Sequence, residues 1–518
     1  MSGKLNVSMK TGLFTRTTLL SGTAICLYLA LADFAFHMLI AGNYGYFRDE
    51  LYYIVAGERL SFGYVDFPPM IALLAAAAKV LGGDSLYSIH VIPALAGSAI
   101  VFLGGRIARE LGGSAKAQIL ASVAAMFSAS FAVASIFSMD VLDMLWWTLL
   151  AFILIRITKR EGESSAKLWI MFGVVAGIGL MTKLTIAFFL LSLLIGLALS
   201  PKRSYLKTIW PWVAGAIALL IVSPYVAWNA LNGWPTVDFF IHHGGLNGGG
   251  PLSFLGYQVL IAGILGLPLV VVGLVYFFRT ASSFSFFGIA FVVLLLTFTF
   301  ANGKPYFLMG AYPFVFAGGA ILLERVRRKL VWRTYVIGMI LVGIVLAPLY
   351  APVLPPQTFV QYYGGLSGVA SGAGGQPTNV GAFPQYLGDR FGWDTMTRTV
   401  ASVYYGLPAQ ERSEACILTL NYGEASALTF FGRQYGLPPV ISGHNNYYIW
   451  GPSNCSGAVL IIVGYEVNDF QSDFRSISVG ANITCTYCVP EENDIPVLVA
   501  IGLNSPAQSS WSTLKHYN

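Results

Sequence analysis

The sequence predicts a multi-pass α-helical membrane protein with a small C-terminal α/β soluble domain. Three observations predict it. Of the 518 residues, 56% are hydrophobic and only 10% charged, against about 25% charged in soluble proteins. The mean hydropathy is +0.67, and a soluble globular enzyme of this composition would precipitate. The 35 Phe, 27 Tyr and 11 Trp exclude disorder. Second, about 11 apolar runs approach or reach the roughly 20 residues that a bilayer-crossing helix needs. Third, charge divides the chain. Residues 1–350 hold 24 Lys and Arg against 13 Asp and Glu, whereas the remainder holds 6 against 11. The positive charge is scattered over short loops and forms no stripe, which argues against nucleic acid as a partner.

The apolar runs cover 18–41, 86–109, 116–136, 139–157, 167–182, 184–200, 207–228, 254–278, 283–302, 306–323 and 332–350. Residues 68–82 are too short to span and read, with 49–60, as helices lying in the interface. The first run is too long for a signal peptide, and no small-residue cleavage site follows it. Placing the N-terminus in the cytoplasm satisfies the positive-inside rule. Nineteen cations then lie inside, including Lys4, Lys10, Arg16, Arg160 and Arg327, and five lie outside: Arg48, Arg59, Lys79, Lys183 and Lys304. An odd number of spans puts the C-terminal domain outside. The domains are read as 1–350 transmembrane, 351–380 a Pro/Gly/Ser-rich linker, and 381–518 the α/β domain. That domain shows helix-like runs near 393–405 and 423–435. Strand-like runs are ACILTLNY, PPVIS, AVLIIVGY and PVLVAIGL. No internal repeat is visible.

Four of the five cysteines, Cys416, Cys455, Cys485 and Cys488, fall in the tail, and Cys26 falls in the first span. An oxidising compartment permits disulfides. Cys485-x-x-Cys488 reads as one disulfide partner plus a spare thiol, or as a local bridge. No second CxxC or nearby His supports zinc.

The chemistry-bearing residues cluster at the outer ends of spans. Arg48-Asp49-Glu50-Leu51-Tyr52-Tyr53 follows the first span directly. Neighbouring side chains on a helix diverge by about 100°, so one carboxylate can face a cavity while the other anchors. The bland alternative is a solvated helix start with acids favoured by the dipole. Asp140 and Asp143 open the fourth span at i, i+3, on one face. Asp140 also reads as an N-cap, and Asp143 as a bond to a neighbouring helix. Lys183 sits between two apolar runs with almost no loop, and Lys304 precedes the tenth run. A Lys at mid-bilayer costs about 2.5–3.5 kcal/mol. These two therefore either snorkel to the interface or seat a phosphate. Asp33 and His37, at i, i+4 in the first span, read as an interhelix hydrogen-bond pair or, in a transporter, a proton relay. The loop 229–253 carries Trp234, His242 and His243 and no Lys or Arg; its two His are candidates for phosphate or sugar hydroxyls.

These motifs, in this order, resemble the C-type glycosyltransferase superfamily. The likeness is to bacterial relatives of glycosyltransferase family 39 protein O-mannosyltransferases and of the lipid A aminoarabinose transferase. The carrying segments are RDELYY at 48–53, FGYVDFPPM at 62–70, SMDVLDMLWWTL at 138–149, GIGLMTK at 177–183 and GKPYFLMGAYP at 303–313. They span most of 40–325. The tail, with Ile441-Ser442-Gly443-His444-Asn445-Asn446-Tyr447-Tyr448, resembles that of poorly characterised bacterial relatives.

The resemblance implies transfer of a sugar from a polyprenyl phosphate to a hydroxyl acceptor (glycolipid, polysaccharide or protein) at the periplasmic face of the bacterial inner membrane. It implies Asp49 as general base with Glu50 beside it, and Asp140 as the second acid. It also implies Lys183 and Lys304 near the lipid phosphate, with Tyr306 adjacent. One position departs. Aminoarabinose-transferring members commonly carry Lys before the Pro-Pro, where this chain has Phe67 preceded by Asp66, so an aminoarabinose donor is not implied.

The residue types suit that chemistry independently. A hydroxyl attacking an anomeric carbon needs a carboxylate to take its proton, and a phosphate leaving group needs cations. Arg48 joins the two lysines as a phosphate candidate. Tyr52, Tyr53 and Trp234 are candidates to stack on sugar faces, and Asp66 and Asp143 to touch substrate. No cofactor is required; carboxylates can take a divalent ion, but no ligand spacing demands one. The competing classes are a transporter or flippase of a lipid-linked substrate, which would favour an inverted repeat, and an assembly protein acting through its tail.

Overall fold

A computed structural model describes residues 20–159, 165–242, 249–326, 328–370, 382–504 and 511–517. Lys4, Lys10, Arg16, Arg160, Arg327 and His243 lie outside the described residues. All eleven apolar runs contain helix. Among the described residues seven helices are long and apolar enough to cross a membrane, or eight if one bent pair counts as a span. Backbone polar groups without water must pair internally, which is why apolar sequence of this length settles into helix.

The other runs are shorter or broken. Ala115–Met126, Ala166–Leu180 and Thr185–Ala198 are shorter apolar helices. Pro251–Ala262 and Gly266–Thr280 meet at 101°. Gly263 makes that corner with φ +80°, a conformation that a residue with a Cβ resists. Small residues bring helices close. A Cβ on Gly273 would lie 2.2 Å from the Val315 carbonyl oxygen, and one on Gly319 2.2 Å from that of Leu269, so the helices Gly266–Val275 and Tyr312–Glu324 touch backbone to backbone. Tyr312–Glu324 and Met139–Lys159 form the bundle centre, and Lys329–Tyr350 lies at its periphery.

The two segments expected as interfacial helices are helical, at Arg48–Gly57 and Met70–Gly82. The second leaves Leu73, Val80 and Leu81 exposed, as an interfacial helix would. The first does not: every residue from Glu50 to Gly57 is buried. The C-terminal domain covers it, with the helix Tyr422–Phe431 packed on Arg48–Gly57.

Among the described residues the C-terminal domain holds a five-stranded sheet in the order β2-β1-β3-β5-β4. The strands are β1 (Ala415–Thr419), β2 (Val440–Ser442), β3 (Val459–Val463), β4 (Phe474–Ile483) and β5 (Ile495–Leu503). β1 pairs in parallel with β2 and β3; β5 is antiparallel to β3 and β4. β3, Val-Leu-Ile-Ile-Val, is buried along its whole length, as a central strand covered on both faces should be. β4 was not among the expected strands. It lies at the sheet edge with only its two end residues buried, so its sequence carries little apolar signal.

Helix Pro356–Ala370 occupies part of the stretch read as linker, and 371–381 lie outside the described residues. Cys416 and Cys455 form a disulfide; Cys485 and Cys488 are free thiols. Neither expected reading of Cys485-x-x-Cys488, one disulfide partner plus a spare thiol or a local bridge, is met. One apolar core runs from Trp147 and Phe189 in the bundle, through Tyr52 and Phe67 of the first loop, to Trp393, Leu428, Tyr447 and Ile461 of the tail.

Candidate active site

Five of the expected residues converge at one end of the bundle. Asp49 lies in the first turn of Arg48–Gly57 and Asp140 in the first turn of Met139–Lys159. Lys183 occupies the corner between Ala166–Leu180 and Thr185–Ala198. Lys304 immediately precedes the 3-10 turn Pro305–Ala311, which carries Tyr306. Asp49, Asp140, Lys183 and Lys304 form one electrostatic neighbourhood: Asp49 feels Asp140 and Lys304, and Lys304 feels both acids and Lys183.

The two lysines differ. Lys183 is ion-paired with Asp140. Its ammonium also sits 4.9 Å from the ring centre of Tyr306 and 5.2 Å from that of Phe307, within cation–π range. The Lys304 ammonium makes no hydrogen bond or ion pair among the described residues. Burial and the neighbouring Lys183 push its ammonium below the ordinary lysine range, against the opposing pull of Asp140 and Asp49. A cation in that state is relieved by an arriving anion.

Asp49 and Glu50 diverge, as adjacent positions on a helix must. Asp49 stays partly exposed. Burial pushes its carboxyl up, Arg48 and the Tyr422 hydroxyl hold it down, and Asp140 adds to the rise. Its Oδ1 accepts from the Tyr422 hydroxyl at 2.7 Å. Glu50 is an anchor rather than a site carboxylate. Wholly buried, it lies 2.8 Å from Nε2 of His90 and accepts from the backbone amides of Phe137 at 2.7 Å and Phe47 at 2.9 Å. Burial alone would raise its carboxyl; His90, Arg390 and the Phe137 amide together hold it low.

Other expectations are corrected. Tyr52 and Tyr53 do not present rings to a sugar: both are buried, Tyr52 against the tail and Tyr53 among aromatics of the first loop and the bundle. Tyr52 stacks on Tyr422 with centres 4.6 Å apart, and its hydroxyl donates to Asp66 at 3.1 Å while accepting from the Asn446 side chain at 2.6 Å. Tyr53 packs edge-on against Phe67 and Phe137. Asp66 also accepts from Asn445 at 3.2 Å. Burial pushes its carboxyl up to about 7, with Asp49 adding to the rise and Tyr52 and Asn445 opposing it. Asp143 is buried and accepts from Trp147 at 2.9 Å and Thr185 at 2.7 Å, a structural bond between helices. Arg48 is engaged by the tail: its guanidinium is 3.2 Å from Asp389 and 5.7 Å from the Tyr422 ring centre. His37 bridges the carbonyls of Asp33 at 2.9 Å and Phe131 at 3.1 Å, the interhelix reading. His242 ends the helix Pro235–His242, and Trp234 beside it is half exposed. Among the described residues no group of three or more His, Cys, Asp or Glu is placed to hold a metal ion.

Sequence reasoning missed Tyr422, Asn445, Asn446, Asp389, Arg390 and His90. The His-Asn-Asn-Tyr-Tyr run was visible, but nothing local links it to a loop some 380 residues earlier. His90 carried a usable signal, as an ionisable group inside an apolar run.

Residues 66–228 match the family model for dolichyl-phosphate-mannose-protein mannosyltransferase. No curated protein matches the chain by sequence. Among solved structures, the fold is shared with ArnT from Cupriavidus metallidurans. In its apo state the TM-score is 0.61 at 14% identity, over 93% of this chain and 98% of that one. Bound to undecaprenyl phosphate, it gives 0.58 at 12% identity, over 94% and 98%. The chain is therefore an integral membrane protein with an ArnT-like C-type glycosyltransferase fold, and it resembles the mannosyltransferase family over its first loop and following helices.

Proposed function

We propose that this protein is an integral-membrane glycosyltransferase. It moves a monosaccharide from a polyprenyl-phosphate carrier to a hydroxyl on a glycolipid, polysaccharide or protein, at the periplasmic face of the bacterial inner membrane. One observation carries the reading: a partly exposed carboxylate, Asp49, shares an electrostatic neighbourhood with a half-buried, unpaired ammonium, Lys304. The matched family model and the shared fold support it.

The acceptor oxygen attacks the anomeric carbon as the carbon–oxygen bond to phosphate breaks, with inversion. Asp49 takes the acceptor proton; its raised pKa makes it a better base than an ordinary surface carboxylate. The departing polyprenyl phosphate carries the bonding electrons, and Lys304 neutralises it with Lys183 beside it. Asp140 holds Lys183 over the Tyr306 ring. The leaving group is already a stable anion, so no second carboxylic acid is required.

The test is mass spectrometry of envelope glycolipids and glycoproteins from a deletion strain carrying either the wild-type gene or Asp49→Asn. The wild-type gene should restore a glycan that the variant, folded and at equal abundance, does not. Full restoration by Asp49→Asn would overturn the assignment.

A further inference from the structure

We infer that Tyr422, in the C-terminal domain, is the positioning residue of Asp49, so that the tail supplies part of the reaction centre. The inference rests on the reading of Asp49 as the base.

The geometry is specific. Among the described residues the Tyr422 hydroxyl is the sole hydrogen-bond donor to the Asp49 side chain, at 2.7 Å on Oδ1. Oδ2 is left with no hydrogen-bond partner among those residues. A carboxylate fixed through one oxygen presents the other in a set direction, which is what a base needs to meet a hydroxyl in line. Burial and the adjacent Asp49 push the Tyr422 phenol up, so it keeps its proton and remains a donor.

Tyr422 is itself held on several sides. It is the first residue of the helix Tyr422–Phe431, whose N-cap Asn421 accepts from the amides of Gly423 and Glu424 at 2.8 and 2.9 Å. Glu424 reaches back to the Asn421 amide at 3.1 Å, closing a capping box. The Tyr422 ring stacks on Tyr52 and lies edge-on to His444 with centres 5.0 Å apart. Asn421 is tied to Glu492 at 3.1 Å. A phenol in so many contacts has little rotamer freedom left, so the bond to Asp49 carries a small entropy cost. Purely structural packing would need the ring alone; a hydroxyl aimed at a partly open site carboxylate is what packing does not require.

The test reads Asp49 directly, in the full-length protein in nanodiscs. A water-soluble carbodiimide with an amine nucleophile labels protonated carboxyls. Peptide mass spectrometry follows Asp49 across a pH series, referenced to exposed Asp394 in the same sample. In Tyr422→Phe, which keeps the ring stack, the Asp49 midpoint should rise by about half a unit to one unit. Replacing Tyr422 by 3-fluorotyrosine, a stronger donor, should lower it. Tyr448→Phe, remote from Asp49, should leave it in place. A structural role would move none of these, and coincident midpoints for wild type, Tyr422→Phe and the fluorinated protein would overturn the inference. The titration needs no turnover, so its outcome is independent of whether Asp49→Asn stops transfer.

Discussion

Glu50 lies 2.8 Å from the Nε2 of His90, and neither side chain is open to solvent. The pair pins the first loop to the helix Leu86–Glu110. Removing one member leaves the other buried without its partner, which costs about 3–5 kcal/mol. Glu50→Ala should therefore lower the thermal midpoint of the purified protein strongly. Activity should fall with the folded fraction, not with turnover per folded molecule. An unchanged melting curve would show that Glu50 is no anchor. The sign with pH follows from its depressed carboxyl: the stabilisation is present above the ordinary Glu range and is lost as pH falls through the lowered folded value.

The lysines should separate in lipid binding. Lys183 is already neutralised by Asp140, whereas Lys304 is not. If the proposed function holds, Lys304→Ala should weaken polyprenyl phosphate binding about tenfold, equivalent to about 1.4 kcal/mol. The loss should shrink at high salt. Equal affinities for wild type and variant, read by tryptophan quenching, would count against Lys304 as the phosphate seat.

The acid limb of transfer should report Asp49. Burial raises its carboxyl above the ordinary aspartate value of about 4, and only the ionised form accepts a proton. Turnover should therefore fall on acidification at a pH above that ordinary range. A limb at or below about pH 4 would mean that some other group sets it.

Asp66 makes the opposite contribution to stability. Its folded value of about 7 exceeds the unfolded value of about 4, so the folded protein binds this proton more tightly. That stabilisation is complete below the unfolded value and is lost as pH rises through about 7. Asp66→Asn mimics the protonated form. It should match wild type at or below about pH 4 and melt about 2 °C higher at about pH 8. Parallel melting profiles for the two proteins would refute this.

How far the sequence could be read depended on the range of the interaction. The helices were legible because apolar length is a local property. The second interfacial segment was legible for the same reason. Asp49, Asp140, Lys183 and Lys304 stood out because charge at a helix end in an apolar chain is conspicuous. Their division of labour was half legible: the divergence of Asp49 and Glu50 by about 100° foresees one facing out and one anchoring, but not which. The placements of Tyr52 and Arg48 were not legible, because each is decided by residues of the tail. Tyr52 meets Asn446 and Tyr422, and Arg48 meets Asp389. Nothing in RDELYY encodes that a second domain will close over it.

The Tyr422–Asp49 bond joins positions 373 residues apart, and that separation has a consequence for biogenesis. When the ribosome reaches the first strand of the sheet, every apolar helix has already been made, and until it decodes Tyr422 the carboxylate lacks this companion. The catalytic end can mature only after synthesis is nearly finished. Polypeptides released early would then insert into the lipid with Asp49 lacking the phenol that orients it.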